Sequence, residues 1–479
     1  MLDKIQIGYT HPESSIQYLV HLKDVKSMDL INKKALVVGL GTTGIATSLF
    51  LKEKGAMVTA SEIRGEEELS PAVQKLKSLG IKIEAEEHRR ETFSNSDLIV
   101  VSPGVPLETP SLKAAAKAGV EIISEIELAY RHIQVPIIAV TGTNGKTTTV
   151  NLIDEIFKAS GKRTFLGGNV GTPLIEYVLK QHSEDYIIAE ISSFQLEGIQ
   201  GFKPYISILL NLHHDHLDRY SSYEDYIAAK ARIFMNQGNK EYAILNADDP
   251  EIKKLAPSIN ASTLYFNYDQ EVSCGIYYKN HLLYFNNGTG QTSFTLHNTH
   301  LKGIHNLHNI MAAVMASKLC GCPQGNIQQA IENFKGLPHR LEFFRESHDI
   351  KFYNDSKATN VSSVLRALEA LDPPVILIAG GKDKGCDYQS LIPFIKGKVK
   401  NLILLGEAKE KMYQVLKSST STSLVETLEE AVKLSFEKAL PGDTVLLSPA
   451  CSSFDMFKSY GERGKAFKTL VNNLTEKIN

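Results

Sequence analysis

Three α/β units in tandem, each a mostly parallel sheet with glycine-bearing turns at its strand ends, are what this sequence predicts. The first ground is recurrence. An apolar, β-branched run meets a glycine turn and then a helical pattern at Lys34–Gly44 (KALVVGLGTTG), Pro136–Val150 (PIIAVTGTNGKTTTV) and Val375–Gly385 (VILIAGGKDKG). The second is length: 479 residues exceed a single core, and at about 150 residues per domain they divide into three. The third is alternation, because strands separated by helical stretches pair in parallel. The expected class is α/β, with a Rossmann-like domain over 1–133, a central phosphate-loop domain over 134–336 and a second Rossmann-like domain over 337–479.

Bulk properties exclude several roles. A formal net charge of -2 gives no electrostatic reason to bind nucleic acid or an anionic membrane. No apolar run approaches the roughly 18 residues of a spanning helix, and MLDKIQIGYTHPESS has no basic stretch followed by an apolar one. A cytoplasmic location is expected. Cys274, Cys320, Cys322, Cys386 and Cys451 are few and scattered, which suits a reducing compartment. Cys320 and Cys322 stand too close for an ordinary zinc pair and read as small buried thiols.

Residues 1 to about 30 carry little signal and read as a helical extension. The strand Lys34–Val38 then leads into Gly39-Leu-Gly41-Thr42-Thr43-Gly44, a G-x-G-x-x-G in the context that dinucleotide binding requires. A second strand, Met57–Ala60, ends near Glu62, an acid placed to meet a ribose hydroxyl. A third, Asp97–Val101, ends in Ser102-Pro103-Gly104. Locally this suits NAD or any other nucleotide diphosphate.

In the central stretch, Gly142 and Gly145 allow close backbone approach and the following helix start adds partial positive charge. Lys146 would meet β- and γ-phosphates and Thr147 a Mg²⁺ ion. The spacing G-T-N-G-K-T-T is one step shorter between glycines than the common loop. Glu190, at the end of the strand Tyr186–Ala189, is placed to hold the metal or to cap a helix. After Ile206–Leu210 come His213, His214, Asp215, His216 and Asp218. These invite a zinc assignment but lack a helical His pair, so His213 and His214 read as a polar loop. Lys230, in YIAAKARI, reads as a surface snorkeller or, if desolvated, as a nucleophile able to take up CO₂.

Asn306 and Asn309 share a helix face and suit either an adenine edge or a cap. Gly336-Leu-Pro338-His339-Arg340 reads as a linker into the third unit, with Arg340 available to clamp a phosphate. The strands Lys351–Asn354, Val375–Ala379, Asn401–Leu405 and Thr444–Leu447 end in loops rich in Lys, Ser and Thr, as a small anionic substrate would need.

Taken in order, G-T-N-G-K-T-T, E-I-S-S-F-Q-L, D-H-L-D-R, A-A-K, H-N-x-x-N, P-H-R, N-D-S-K-A-T-N, G-G-K-D-K-G and S-P-A-C-S-S-F-D resemble the Mur ligases over nearly the whole chain. The resemblance implies an amide-forming ligase in which ATP activates a carboxylate and an amine displaces phosphate. Within the family, G-G-N-V-G-T-P-L and N-D-S-K-A-T-N fit the branch that adds D-glutamate to a UDP-linked muramoyl-alanine. It implies that Gly142, Thr143, Asn144, Gly145, Lys146, Thr147 and Thr148 cradle the phosphates. Thr147, Glu190 and His216 would ligate magnesium, two ions in all, with Lys230 carried as a carbamate and His339 in the catalytic set. Asn306 and Asn309 would hold adenine, and Arg340 and Asp355 the phosphates and ribose. UDP and its sugar-peptide would meet Thr42, Thr43, Arg64, Ser102, Gly104, Asn169 and His216. D-glutamate would meet Thr359, Lys384, Ser453 and Tyr460. The resemblance decides the first domain against NAD, and a monomer is expected. Three rivals remain: a folylpolyglutamate synthetase, which needs no N-terminal nucleotide fold, a binding protein that has lost ligase chemistry, and an NAD-dependent dehydrogenase with an appended ATPase.

Overall fold

The computed structural model describes residues 28–69, 72–180, 183–215, 219–383 and 385–476. The expected N-terminal helical extension, His216 and Lys384 lie outside the described residues. The chain builds three sheets in two compact units, one holding the first two sheets with Leu307–Phe334, the other holding His300–Asn306 and Lys335 onward.

The first sheet contains β1 (Lys34–Val38), β2 (Met57–Ser61), β3 (Lys82–Glu84), β4 (Leu98–Val101) and β5 (Glu121–Ser124), all parallel, in the order β3-β2-β1-β4-β5. Alternation of side chains places Leu36 and Val38 against Phe93, Ile99 and Leu112, and Ala35 and Val37 against Phe50 and Val58. The strand order reverses between β1 and β4, so the crevice of this sheet opens beside Gly39–Gly44 and Ser102.

The second sheet has nine strands: β6 (Ile137–Thr141), β7 (Thr164–Gly168), β8 (Tyr186–Glu190), β9 (Ile206–Leu209), β10 (Tyr242–Asn246), β11 (Ser262–Asn267), β12 (Gly275–Lys279), β13 (Leu282–Asn286) and β14 (Gln291–Thr295). Their order is β14-β13-β12-β11-β10-β9-β6-β8-β7, with β13 antiparallel to its neighbours β12 and β14 and every other pair parallel. The hairpin between β12 and β13 turns on Asn280 and His281, both at positive φ (52° and 61°), which suits a two-residue turn of matching twist. β6 lies between β8 and β9, so the phosphate loop rises from the middle of the sheet, with Glu190 on one side and Leu210–His213 on the other.

These two sheets share one core, running from Leu30, Val37 and Phe50 through Ile126 and Phe202 to Leu245. Buried carboxylates reinforce the join. Glu125 accepts the N–H of Ile175 at 2.6 Å, and burial pushes it up to about 7. Glu127 accepts the N–H groups of Gln200, Gly201 and Phe202 and pairs with Arg131 at 2.9 Å. The Ile175 N–H in the first turn of helix Leu174–Leu179 and three loop N–H groups thereby find partners.

The third sheet contains β15 (Glu342–Ser347), β16 (Ile350–Asn354), β17 (Val375–Gly380), β18 (Val399–Leu405), β19 (Ser421–Leu424) and β20 (Thr444–Ala450), in the order β15-β16-β20-β17-β18-β19. Only β15 is antiparallel to its neighbour. Apolar layers around Leu377 and Leu446 on one face and Ile376 and Phe467 on the other bury it on both sides. No helix among the described residues is long and apolar enough to cross a membrane.

Candidate active site

The phosphate loop leaves β6 at Thr141 and enters helix Lys146–Ala159 through Gly145, whose φ of 89° is left-handed. A side chain there would be strained and would meet the Asn309 amide oxygen. Asn309 is buried and its Oδ1 also accepts from Thr149 Oγ1 at 3.3 Å, so it braces the back of the loop. No side chain caps this helix at Gly145, and its positive end faces the loop.

On the other flank, Asn144 and Asn211 exchange hydrogen bonds: Asn144 N–H donates to Asn211 Oδ1 (2.9 Å) and Asn211 Nδ2 to Asn144 O (3.1 Å). Thr143 Oγ1 accepts from His213 N (3.0 Å) and shares a hydrogen bond with the Tyr226 hydroxyl (2.9 Å). The loop is thus fixed before any nucleotide arrives.

Its charged groups converge from three elements. Lys146 Nζ curls over the loop onto the carbonyls of Gly142 (2.9 Å) and Thr143 (3.0 Å). Thr147 Oγ1 donates to Glu190 Oε2 at 2.7 Å, and Asn169 Nδ2 donates to Glu190 Oε1 at 3.0 Å. Lys230 is 2% exposed, which excludes the surface snorkeller. Its Nζ donates to Gly142 O at 3.0 Å and stands 4.8 Å over the Tyr226 ring. Burial, then the charge of Lys146, push the Lys230 amine well below the usual lysine range, against the pull of Asp215 and Glu190. A buried amine held this way is available in its neutral, nucleophilic form.

Glu190 follows directly from local sequence logic. β8 delivers it, and Ser192 then starts helix Ser193–Glu197 with a capping box closed by Gln195. Since Ser192 does the capping, Glu190 is left facing Thr147. Asn306 donates to Lys302 O at 2.8 Å, a helix-start contact. His308, between the two asparagines, pairs with Asp248 at 2.9 Å. Among the described residues no group of three or more His, Cys, Asp and Glu side chains is arranged to hold a metal.

The first domain's glycine loop is organised differently. A side chain on Gly44 would land on the carbonyl of Gly39, and Ser102 Oγ donates to that same carbonyl at 2.9 Å. Glu62 is engaged internally: Oε2 accepts from Leu40 N (2.8 Å) and Arg64 Nη2 (2.9 Å), Oε1 from the N–H groups of Ile63 and Arg64. Burial raises this carboxylate, but Arg64 and the backbone donors outweigh it and hold it down at about 2. With both oxygens engaged, Glu62 does not present a free acceptor to a ribose. Thr42 and Thr43 open helix Thr42–Glu53, which has no side-chain cap, and nothing crowds the position of Gly104.

In the second unit, Asp355 is buried, accepts from Leu341 N (3.0 Å) and Ser448 Oγ (2.8 Å), and is pushed up to about 7 by burial. The Ser448 and Leu341 bonds and the charge of Arg340 act against that rise. His339, at a φ of 65°, accepts at Nδ1 from Asn354 Nδ2 at 2.8 Å and meets the Tyr460 ring edge-on. Thr359 lies between the turn at Lys357 and the Asn360 cap of helix Val361–Ala370. Ser453 is buried beside Ser452, which bridges to Lys382. Sequence reasoning missed Arg463, which reaches Ser356, Cys451 and Ser452 from the first turn of helix Tyr460–Glu476. It also missed the Tyr226 and Asn211 braces. Tyr226 had a signal, standing one helical turn before Lys230; Arg463 had none.

Three family models match in chain order: Mur ligase MurD-like, N-terminal domain, over 33–124; Mur ligase middle domain over 140–317; and Mur ligase, glutamate ligase domain, over 339–451. The chain is 49% identical to UDP-N-acetylmuramoylalanine--D-glutamate ligase of Geotalea uraniireducens, over 94% of this chain and 99% of that one. The ligase of the same name from Geobacter metallireducens is 46% identical over 93% and 99%. Among solved structures, the MurF ligase of Thermotoga maritima in complex with ADP shares the fold at a TM-score of 0.59 and 17% identity, covering 95% of this chain and 98% of that one. The order of the three matched domains and 49% identity over 94% of the chain have one reading: the chain belongs to the Mur ligase family.

Proposed function

We propose that this ligase joins the amine of D-glutamate to the alanyl carboxylate of UDP-N-acetylmuramoyl-L-alanine, with ATP as the activating reagent, in the synthesis of peptidoglycan precursors. The observation that carries the reading is the 49% identity over 94% of the chain to a relative of that activity. The convergence of Lys146, Glu190 and Lys230 on one phosphate loop agrees with it.

A carboxylate is a poor electrophile. The substrate oxygen attacks the γ-phosphorus, the bond to ADP breaks, and an acyl phosphate forms. The D-glutamate amine, after losing a proton, then attacks the acyl carbon, and the tetrahedral intermediate expels phosphate with the bonding pair. The helix start at Lys146 and the loop N–H groups orient the phosphates, and the Lys146 ammonium offsets charge on the group in transfer. Asn309, Asn211 and Tyr226 keep the loop from moving during that transfer. The first domain presents the UDP substrate through Thr42, Thr43, Arg64, Ser102 and Gly104, with Asn169 toward the sugar-peptide. Thr359, Lys384, Ser453 and Tyr460 receive D-glutamate, and Arg340 and Asp355 serve the nucleotide.

Magnesium, two ions in this reading, fits the oxygen donors present: Thr147 Oγ1 and Glu190 Oε2 meet at 2.7 Å, a hydroxyl and a carboxylate suited to a hard cation. When bound there it would neutralise phosphate charge. His216 completes the set by resemblance. Lys230 as an ammonium would oppose a cation, but its neutral amine can attack CO₂, forming a C–N bond and releasing one proton, which leaves an anionic carbamate. We read the enzyme as a cytoplasmic monomer, since ATP and UDP-linked substrates are supplied there.

An amino-acid panel tests the reading. With UDP-N-acetylmuramoyl-L-alanine, ATP and Mg²⁺, D-glutamate alone is expected to drive phosphate release; L-lysine, L-alanine and a diamino acid are not. Equal turnover with another amino acid overturns the specificity.

A further inference from the structure

Arg463 is a buried cation with an unusual set of partners. It is 2% exposed, and its guanidinium donates from Nε to Ser356 Oγ (3.0 Å), from Nη2 to Ser356 O (2.9 Å) and Cys451 O (3.1 Å), and from Nη1 to Ser452 O (3.2 Å). No carboxylate among the described residues hydrogen-bonds it; Asp455 acts on it only through its charge. Ser356 belongs to the loop after β16, and Cys451 and Ser452 to the loop after β20. A third loop closes the set, because Lys382 N–H donates to Ser452 O at 2.9 Å and Nη1 stands 3.0 Å from where a side chain on Gly381 would begin. Ser356 Oγ in turn donates to the Tyr460 carbonyl at 2.8 Å.

One planar fork therefore ties two strand-end loops together directly and reaches the third, at Gly381 and Lys382, through Ser452, a geometry that a lysine point charge cannot reproduce. Burying a charge against neutral acceptors is costly, and an apolar side chain of this size would stabilise the core at least as well. A charge kept here has a use in what those loops carry. The loops after β16 and β20 lead directly into Thr359 and Ser453.

We infer that Arg463 is the positioning residue of the amino-acid subsite, fixing the three loops in register and lending a positive potential to a dianionic amino acid. The inference rests on the reading of these loops as the D-glutamate site. It concerns binding of the amino acid and not the phosphoryl step, so its signature is a split between Michaelis constants.

The test uses the full chain carrying Arg463→Lys, Arg463→Met or Arg463→Ala, with thermal melting as a control for folding. KM for D-glutamate is expected to rise about tenfold in Arg463→Lys and about a hundredfold in Arg463→Met, with KM for ATP and for the UDP substrate within about twofold. Discrimination against D-aspartate should narrow, and guanidinium ion at non-denaturing concentration should partly restore Arg463→Ala. If Arg463→Met does not fold, Arg463→Lys and the rescued Arg463→Ala still decide. An unchanged KM for D-glutamate in a folded variant, or all three constants moving together, overturns the inference. Wild-type enzyme indifferent to D-glutamate overturns instead the reading of the loops, and the inference with it.

Discussion

The first unit contains two glycine loops that look alike in sequence and differ in charge. Both follow the first strand of a parallel sheet, both open a helix without a side-chain cap, and both need glycine where another backbone passes close. At Gly39–Gly44 the side chains brought in are an internal pair, Glu62 with Arg64, and a hydroxyl, Ser102. At Gly142–Gly145 they are two lysines, a buried glutamate and a threonine. Glycine spacing specifies a backbone that tolerates a phosphate. The charges delivered from neighbouring strands decide whether that phosphate is only held or also transferred.

The comparison breaks most readily at Lys146. Lys146→Met should lower turnover by about a thousandfold, since it removes the cation nearest the transferred group while leaving the loop's braces in place. Binding of the UDP substrate, measured at equilibrium, should be unchanged. Parallel loss of both would mean that the two loops do not have separate tasks.

A second, smaller effect is expected at Lys230. Lys230→Ala should lose turnover by about a hundredfold, and formate or acetate should restore part of it, because an anion is what the site then lacks. Full activity of the unrescued variant would remove the carbamate from the mechanism. Since Lys230 also donates to Gly142 O, KM for ATP should rise modestly in the same variant.

Strands and turns of this architecture were legible because β-branched runs and glycines act locally. Lys34–Val38 matches β1 residue for residue, and in the third sheet β16, β17, β18 and β20 fall within a few residues of expectation, whereas the edge strands β15 and β19 were not seen. The hairpins of β12 to β14 were not seen, since GIYYKNHLLYFNNGTGQTSFT mixes polar and aromatic residues at a sheet edge without a clean apolar period. Lys230 illustrates the limit at the site. Alanines around a lysine do not reveal whether it is buried; the Tyr226 ring one helical turn back and the Gly142 carbonyl 88 positions away make that decision. Glu62 shows the converse. Its position after β2 matched a ribose ligand, yet Arg64 two residues on and Leu40 in the loop engage it first.

That engagement supplies the mildest way to sharpen the comparison. Glu62→Gln weakens the hold on Leu40 N–H and frees Arg64, so KM for the UDP substrate should rise severalfold while KM for ATP stays the same. Stability carries its own signature. The folded carboxylate sits at about 2, below its usual value of 4.5, so the wild type holds an advantage over Glu62→Gln that is fully present above about pH 4.5 and fades as pH falls toward 2. The advantage is small, because Arg64 is half exposed and water screens the pair. Melting temperatures of the two proteins should therefore converge between pH 4.5 and the acid limit of folding. A constant gap across that range would show that Glu62 acts through its shape and hydrogen bonds alone, and the first loop would then owe nothing to charge.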